Sequence, residues 1–108
     1  MSQHQHTELK EILRGCSKER RSSQHALYRL FYAYGMSICI RYVENENEAI
    51  SILNDAFLKV FRNINRFDFE QPFKPWFRKI LVNTAINNIK KKHKYRAEVP
   101  MENAKEIA

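Results

Sequence analysis

From Pro72 to Arg96 the chain reads PFKPWFRKILVNTAINNIKKKHKYR, with no acidic residue between Gln71 and Ala97. Pro75 suits the first turn of a helix, where its missing amide would be unpaired anyway, and neither glycine nor proline interrupts the run from there to Arg96. At about 100° per residue, Trp76, Lys79, Asn83, Asn87 and Lys90 fall on one narrow stripe. Phe77, Ile80, Leu81, Thr84 and Ala85 lie on a neighbouring apolar face, so the stripe is expected to face outward. It carries a ring that can stack, two carboxamides that can pair with base edges and two cations that can meet phosphates. That set suits nucleic acid. The plain alternative is a solvated helix face, because lysine and asparagine are ordinary surface residues. Just upstream, residues 65–74 break the helical period and carry Phe67, Phe69 and Phe73. Rings beside a basic helix can stack bases, and rings in short loops can equally plug a core.

A second cluster has the opposite sign. Glu44, Glu46, Glu48 and Asp55 occur where no Lys or Arg is found from Tyr42 to Leu58. Asn45 followed three residues later by Glu48 resembles a capping box, which predicts a helix from there to about Ile64. Ala49, Leu53, Ala56, Phe57, Val60 and Ile64 make its core stripe. Ile50 and Phe61 widen the apolar arc, with Asn54 on the rim and Asp55 beyond it. Such an arc reads either as a partner surface or as the wider core of a small bundle.

Two elements must position these clusters. Thr7 can cap a short helix through Arg14, with Leu9, Ile12 and Leu13 on one side and Gly15 as the stop. A longer helix is expected from about Ser22 to Val43, its stripe formed by Leu27, Leu30, Phe31, Tyr34, Ile38 and Tyr42. Tyr28, Tyr32 and Arg41 fall elsewhere and read as ordinary surface. The expected architecture is all-α, a compact bundle of three long helices plus a short N-terminal helix. Leu27, Phe31, Tyr34, Leu53, Phe57, Val60, Phe77 and Leu81 are its expected core.

Composition agrees with that class. The 108 residues are 44% apolar with only two Gly and three Pro, which suits helices joined by short connections and allows one domain. A formal charge of +7 implies polyanionic partners. Cys16 and Cys39 stand far apart and read as reduced thiols of a cytoplasmic protein. No metal or cofactor is expected, since His4 and His6 lack a third ligand at sensible spacing. No apolar run reaches the ~18 residues of a membrane span. No nucleophile has a base at motif spacing and no glycine loop cradles phosphate, so an enzyme is not expected.

The run AISILNDAFLKVFRNINRFDFEQPFKPWFRKILVNTAINNIKKK resembles region 2 of the extracytoplasmic-function sigma factors of bacterial RNA polymerase. The family pattern is roughly A-E-D-A-x-Q-E-x-F-x-K-x-W/F-R, a linker with R-F-D and P-F, then W-[LF]-x-R-I and N-x-A-x-[DN]. The likeness extends upstream through ALYRLFYAYGMSICIRYV and covers roughly residues 8–96. Ile50-Ser51 stands where the family has E-D, Asn54-Asp55 where it has Q-E, and Asn87 where Asp is frequent.

The resemblance implies a transcription initiation factor domain that binds core RNA polymerase and recognises and melts the minus-ten promoter element. Ile50, Asn54, Asp55 and Phe61 would dock on the coiled coil of the largest polymerase subunit. Phe67, Phe69, Phe73, Trp76, Lys79, Asn83, Asn87 and Lys90 would engage the non-template single strand, with a flipped base in the linker. An anti-sigma factor is a further candidate partner. Residues 1–96 would form the region 2 domain and 97–108 the start of an interdomain linker or a C-terminal tail. The family's second, helix-turn-helix domain has no counterpart in this sequence, which implies an excised region 2 domain or a naturally short protein. Two rival classes are a helical interaction module of a transcription regulator that never melts DNA, and a peripheral membrane protein using the basic last helix.

Overall fold

A computed structural model describes residues 3–98, with side chains described from 8 to 94. Four α-helices and one turn of 3₁₀ helix occur in the order α1 (Gln3–Ser17), α2 (Arg21–Cys39), α3 (Glu46–Asn63), the 3₁₀ turn (Ile64–Arg66) and α4 (Phe73–Glu98). Among the described residues there is no strand, as the all-α reading expects. Residues 99–108, most of the expected linker, lie outside the described part.

Two helix starts are set by local sequence signals. The α3 start is the clearest: Asn45 is extended and its side chain accepts the Glu48 amide at 2.8 Å, while Glu48 reaches back to the Glu44 amide at 3.3 Å. The first bond satisfies one of the amides that a helix start leaves unpaired, and the second ties the residue before the cap to the same glutamate. Pro75 sits in the first turn of α4, where it removes no helical bond.

Four expectations at helix ends and faces need correction. Helix α1 begins at Gln3, so Thr7 lies inside it and does not cap it. Gly15 does not stop the first helix, which runs on to Ser17. Gly15 is instead where α1 touches α2: a Cβ there would lie 1.8 Å from Ser23 Oγ and 2.5 Å from Ser23 Cβ. The stop is Glu19, whose φ of 59° is left-handed. Its amide donates to the Cys16 carbonyl at 3.0 Å and the next amide, of Arg20, donates to the Gly15 carbonyl at 2.9 Å, the two bonds of a Schellman cap. Helix α2 ends at Cys39, short of Val43, because the amides of Arg41 and Tyr42 turn to carbonyls three residues back. Tyr42 and Val43 remain half-buried, so the apolar period outlasts the helix. Finally, Leu30 is 57% exposed and does not belong to the buried stripe.

The core is one cluster spanning all four helices. Helices α2 and α3 run antiparallel, with Tyr28 against Phe57 and Gly35 against Leu53. Helices α3 and α4 are also antiparallel, tied at one end by the Lys92–Glu48 ion pair and farther along by Lys59 donating to Thr84 at 3.1 Å. Every residue of the expected core is buried except Tyr34, which is half-buried under the Lys74 ammonium, 5.0 Å from its ring centre. Burial of Cys16 and Cys39 pushes both thiols up to about 11, so neither is a thiolate at neutral pH.

The two glycine-related positions give predictions of opposite sign. Glu19→Gly removes a left-handed strain of about 1 kcal/mol and should raise the thermal midpoint. Gly15→Ala forces α1 away from α2 and should lower stability by ~1–3 kcal/mol, although alanine is the better helix former. Thermal unfolding followed by circular dichroism measures the first, and urea unfolding the second.

Candidate nucleic-acid interface

The stripe on α4 is turned outward by the face opposite to it. Phe77, Leu81 and Ala85 are fully buried and Thr84 nearly so. That anchoring leaves Lys79, Asn83, Asn87 and Lys90 exposed in one line, with half-buried Trp76 at its head. No hydrogen bond or ion pair among the described residues engages these two carboxamides or two ammonium groups, so all are available to a ligand.

Trp76 joins the stripe to the linker between the 3₁₀ turn and α4. Its ring packs 4.8 Å from Phe67 and 5.9 Å from Phe73. Phe67 and Phe73 are buried at 7% and 3% exposure, so these two rings support the linker from below. Phe69 is half-buried, 5.8 Å from Phe67, and is the linker ring that reaches the surface. The linker's shape is set locally: Asp68 accepts the Glu70 amide on its side chain at 3.0 Å and the Gln71 amide on its carbonyl at 2.9 Å. This is an Asx turn, which holds a short loop in one form without a glycine.

Beneath the linker is a cleft of about 690 Å³, lined by Leu9, Leu13, Phe31, Phe69, Pro72 and Phe73. Its rim carries the Lys10–Glu70 ion pair at 3.5 Å, and Ser17 donates to Asn65 at 2.7 Å nearby. Helix α1 is thus one wall of the cleft. The N-terminal stripe signalled a packed helix, and nothing in the sequence signalled what it would pack beside.

The other expected surface lies on α3. Asn54 and Asp55 are exposed; Ile50 and Phe61 are half-buried, Phe61 with its ring 6.0 Å from Phe57. The structure therefore brings these four to one helix, with the two apolar members partly committed to the core. Two further residues complete the surface. Leu58, one turn after Asn54, is 52% exposed and is the prominent apolar group there. Tyr28 on α2, expected to be ordinary surface, packs 4.8 Å from Phe57 and donates its hydroxyl to Asn54 Oδ1 at 2.9 Å. Burial, and then repulsion from Tyr32, push the Tyr28 hydroxyl up, which keeps it a neutral donor. Leu58 was legible as an apolar residue on a polar arc; the Tyr28 contact required knowing how α2 sits on α3.

Among the described residues no group of three His, Cys, Asp or Glu is placed to hold a metal ion, and no helix is long and apolar enough to cross a membrane.

Known proteins resemble this chain in sequence and in fold. The extracytoplasmic-function sigma factor SigW of Bacillus subtilis (strain 168) is 36% identical over 55 residues, 51% of this chain and 29% of its own length. The sigma factor SigV of the same organism is 32% identical over 59 residues, 55% of this chain and 36% of its own. The chain thus spans about a third of the length of the curated relatives it matches. An engineered region 2 of sigmaE, solved by NMR in complex with GTAAAA, shares the fold with a TM-score of 0.77 at 24% identity, over 84% of this chain and 94% of that one. The Sigma-70 region 2 family profile matches residues 27–95, from the middle of α2 almost to the end of α4, and the chain belongs to that family.

Proposed function

We propose that this chain docks on core RNA polymerase through the outer face of α3 and takes the non-template strand of a minus-ten promoter element along the linker and α4. The observation that carries the reading is the continuous path from the half-buried rings of Phe69 and Trp76 to Lys79, Asn83, Asn87 and Lys90, which are exposed and, among the described residues, unpaired on a region 2 fold. The complex of the engineered sigmaE region 2 with GTAAAA supports a nucleic-acid ligand for this architecture.

The chemistry divides between the parts of the path. Lys79 and Lys90 supply affinity that falls with salt and is blind to sequence, because phosphates are alike. Asn83 and Asn87 supply selectivity, since a carboxamide meeting a base edge bidentately discriminates by ~1–3 kcal/mol. Melting requires a base to leave its stack at a cost of a few kcal/mol, which stacking on protein rings offsets by ~1–3 kcal/mol per base. Phe69 and Trp76 are the half-buried rings that reach the surface for that step, and the apolar cleft beneath Phe69 receives the extruded base. Phe67 and Phe73 act by holding those rings in place. The work is done in the cytoplasm, where bacterial polymerase is.

On α3, Asp55 supplies charge, Asn54 a carboxamide oriented by Tyr28, and Leu58 an apolar contact, with Ile50 and Phe61 at the margins. Asp55→Lys and Leu58→Asp should each lower core polymerase affinity about tenfold or more, ~1.4 kcal/mol, without moving the thermal midpoint. Equal capture of both variants and the parent by immobilised core polymerase would remove α3 from the docking role.

On α4, Asn83→Ala should flatten preference among promoter variants at one or two positions. Lys90→Ala should weaken binding to all of them and reduce the salt slope by about one. Competition among forked promoter oligonucleotides, with the chain bound to core polymerase, measures both. An unchanged base preference in Asn83→Ala at matched salt leaves this helix as a general basic surface.

A further inference from the structure

The outward face of α2 is almost without charge. The chain is 29% charged, yet Arg29 is the single Lys, Arg, Asp or Glu between Arg21 and Arg41. Leu30 and Ile40 are 57% and 43% exposed there, and Ala33 and Ser37 between them are exposed as well. The outer face of a bundle helix ordinarily carries charged and polar side chains, so a bare one with two large apolar groups marks a contact. Leu30 lies roughly 160° around the helix from Tyr28, at ~100° per residue, and Tyr28 is the residue that meets Asn54 and Phe57 of α3. The face is therefore separate from the α3 surface.

Two features of the face say what covers it. The first is spacing. Ser23, Ala26, Leu30, Ala33, Ser37 and Ile40 recur at alternating steps of three and four, the pattern of a two-helix seam. Read antiparallel about a twofold axis between Phe31 and Tyr32, this seam opposes Leu30 to Ala33, Ala26 to Ser37 and Ser23 to Ile40 of a second copy. Each large side chain meets a small one, and one patch serves both sides, as a twofold interface requires. The second feature is charge. At its N-terminal end the seam opens into a groove of about 330 Å³ between α1 and α2, lined by Glu8, Glu11, Ile12, Ser22, Ser23 and Ala26. At the other end Arg41 follows Ile40 in the turn that closes α2, and it is exposed. The same register brings the partner's Ile40 to Ile12 and Ala26 in the groove, and the partner's Arg41 to the carboxylates beside them. Among the described residues neither Glu11 nor Arg41 has an ion-pair partner.

We propose that this face is a homodimer interface, an antiparallel α2–α2 contact closed at each end by Arg41 of one copy against Glu11 and Glu8 of the other. The seam from Ser23 to Ile40 is roughly 26 Å long at ~1.5 Å per residue. One helix face of that length falls below the roughly 800 Å² per partner of a standard interface, and a formal charge of +7 on each copy opposes approach. The dimer is therefore weak and reversible, formed where the chain is concentrated or where a polyanion neutralises its charge. It does not rest on the proposed function, because no residue of the seam belongs to the α3 docking surface or to the α4 stripe.

The test uses the whole 108-residue chain, followed by sedimentation velocity from micromolar to millimolar concentration at fixed salt. The parent should pass reversibly from monomer to dimer. Leu30→Asp and Ala33→Glu should stay monomeric at every concentration while keeping the parent's circular dichroism, since both positions are exposed in the single copy. Glu11→Arg and Arg41→Glu should each weaken self-association about fivefold or more, because each dimer then carries two altered contacts. Mixed in equal amounts, these two variant chains should associate better than either does alone. In the mixed pair one end regains opposite charges and the other end is unaltered, which only a second copy in this register can produce.

A parent that is monomeric over the whole range overturns the inference, as does a dimer that Leu30→Asp leaves intact or a mixture of the two charge variants that recovers nothing. So does a monomeric parent whose Leu30→Asp variant loses capture by core polymerase, since the face would then seat a different protein. The expected result is loss of self-association in Leu30→Asp with polymerase capture and promoter binding as in the parent. A failed dimer with those two activities unchanged leaves the proposed function standing.

Discussion

The burial of Phe77 is the contact on which the remainder of the molecule depends. Its ring has no exposure and lies 5.0 Å from Phe57 on α3, 5.9 Å from Phe31 and 6.2 Å from Tyr34 on α2, and 5.4 Å from Phe73 at the start of its own helix. One side chain thus fixes α4 against two helices at once. A buried phenylalanine of this kind accounts for ~3–5 kcal/mol when truncated, a large share of the stability of so small a domain. Its consequence for function is angular. With Phe77 pointing inward, Trp76 must lie at the edge and Lys79, Asn83, Asn87 and Lys90 must face solvent. Gly35 permits the arrangement: a Cβ there would fall 2.4 Å from Leu53 Cδ1 and 3.6 Å from the tip of Phe77.

Around that centre the charges are sorted by helix. The α3 start carries Glu46 and Glu48, favourable beside the positive end of the helix dipole, and the late turns of α4 carry consecutive lysines. Because the two helices are antiparallel, the acidic start meets the basic end, and Glu48 pairs with Lys92. That pair is partly exposed and contributes at most about 1 kcal/mol, so its value lies in register more than in stability. Sorting leaves an acidic and apolar face for one partner and a basic, carboxamide-bearing face for another. The seam between them is where Lys59 sits.

Much of this was legible in the sequence wherever the determining forces are local. The Asn45 cap and the Pro75 start depend on a few neighbouring residues, and the outward stripe of α4 is set by helical period alone. What sequence misjudged depends on contacts between distant segments. Gly15 looks like a stop because glycine commonly ends helices, yet here it is consumed by the approach of Ser23, and a glutamate takes the left-handed position instead. Leu30 fits the apolar period of α2, but no helix covers that side of it. Phe67, Phe69 and Phe73 are identical in composition and differ in role: Phe69 reaches the surface because the Asx turn at Asp68 places it there. Tyr28 shows the reverse, a residue off the core stripe that becomes part of a surface because α3 supplies Asn54.

The same rigidity bears on the proposed opening of a duplex by so small a domain. Unstacking a base costs a few kcal/mol, comparable to a sizeable fraction of the folding free energy of a domain this size. If the linker had to order itself at the moment of binding, each residue fixed would add ~1–2 kcal/mol to that cost. Here the ordering is already complete. The Asx turn, the Lys10–Glu70 and Ser17–Asn65 contacts from α1, and the stack of Phe67 and Phe73 under Trp76 hold the linker before any ligand arrives. Binding energy from rings and cations can then offset unstacking and need not be consumed in folding the loop. Helix α1 enters the proposed function through this route.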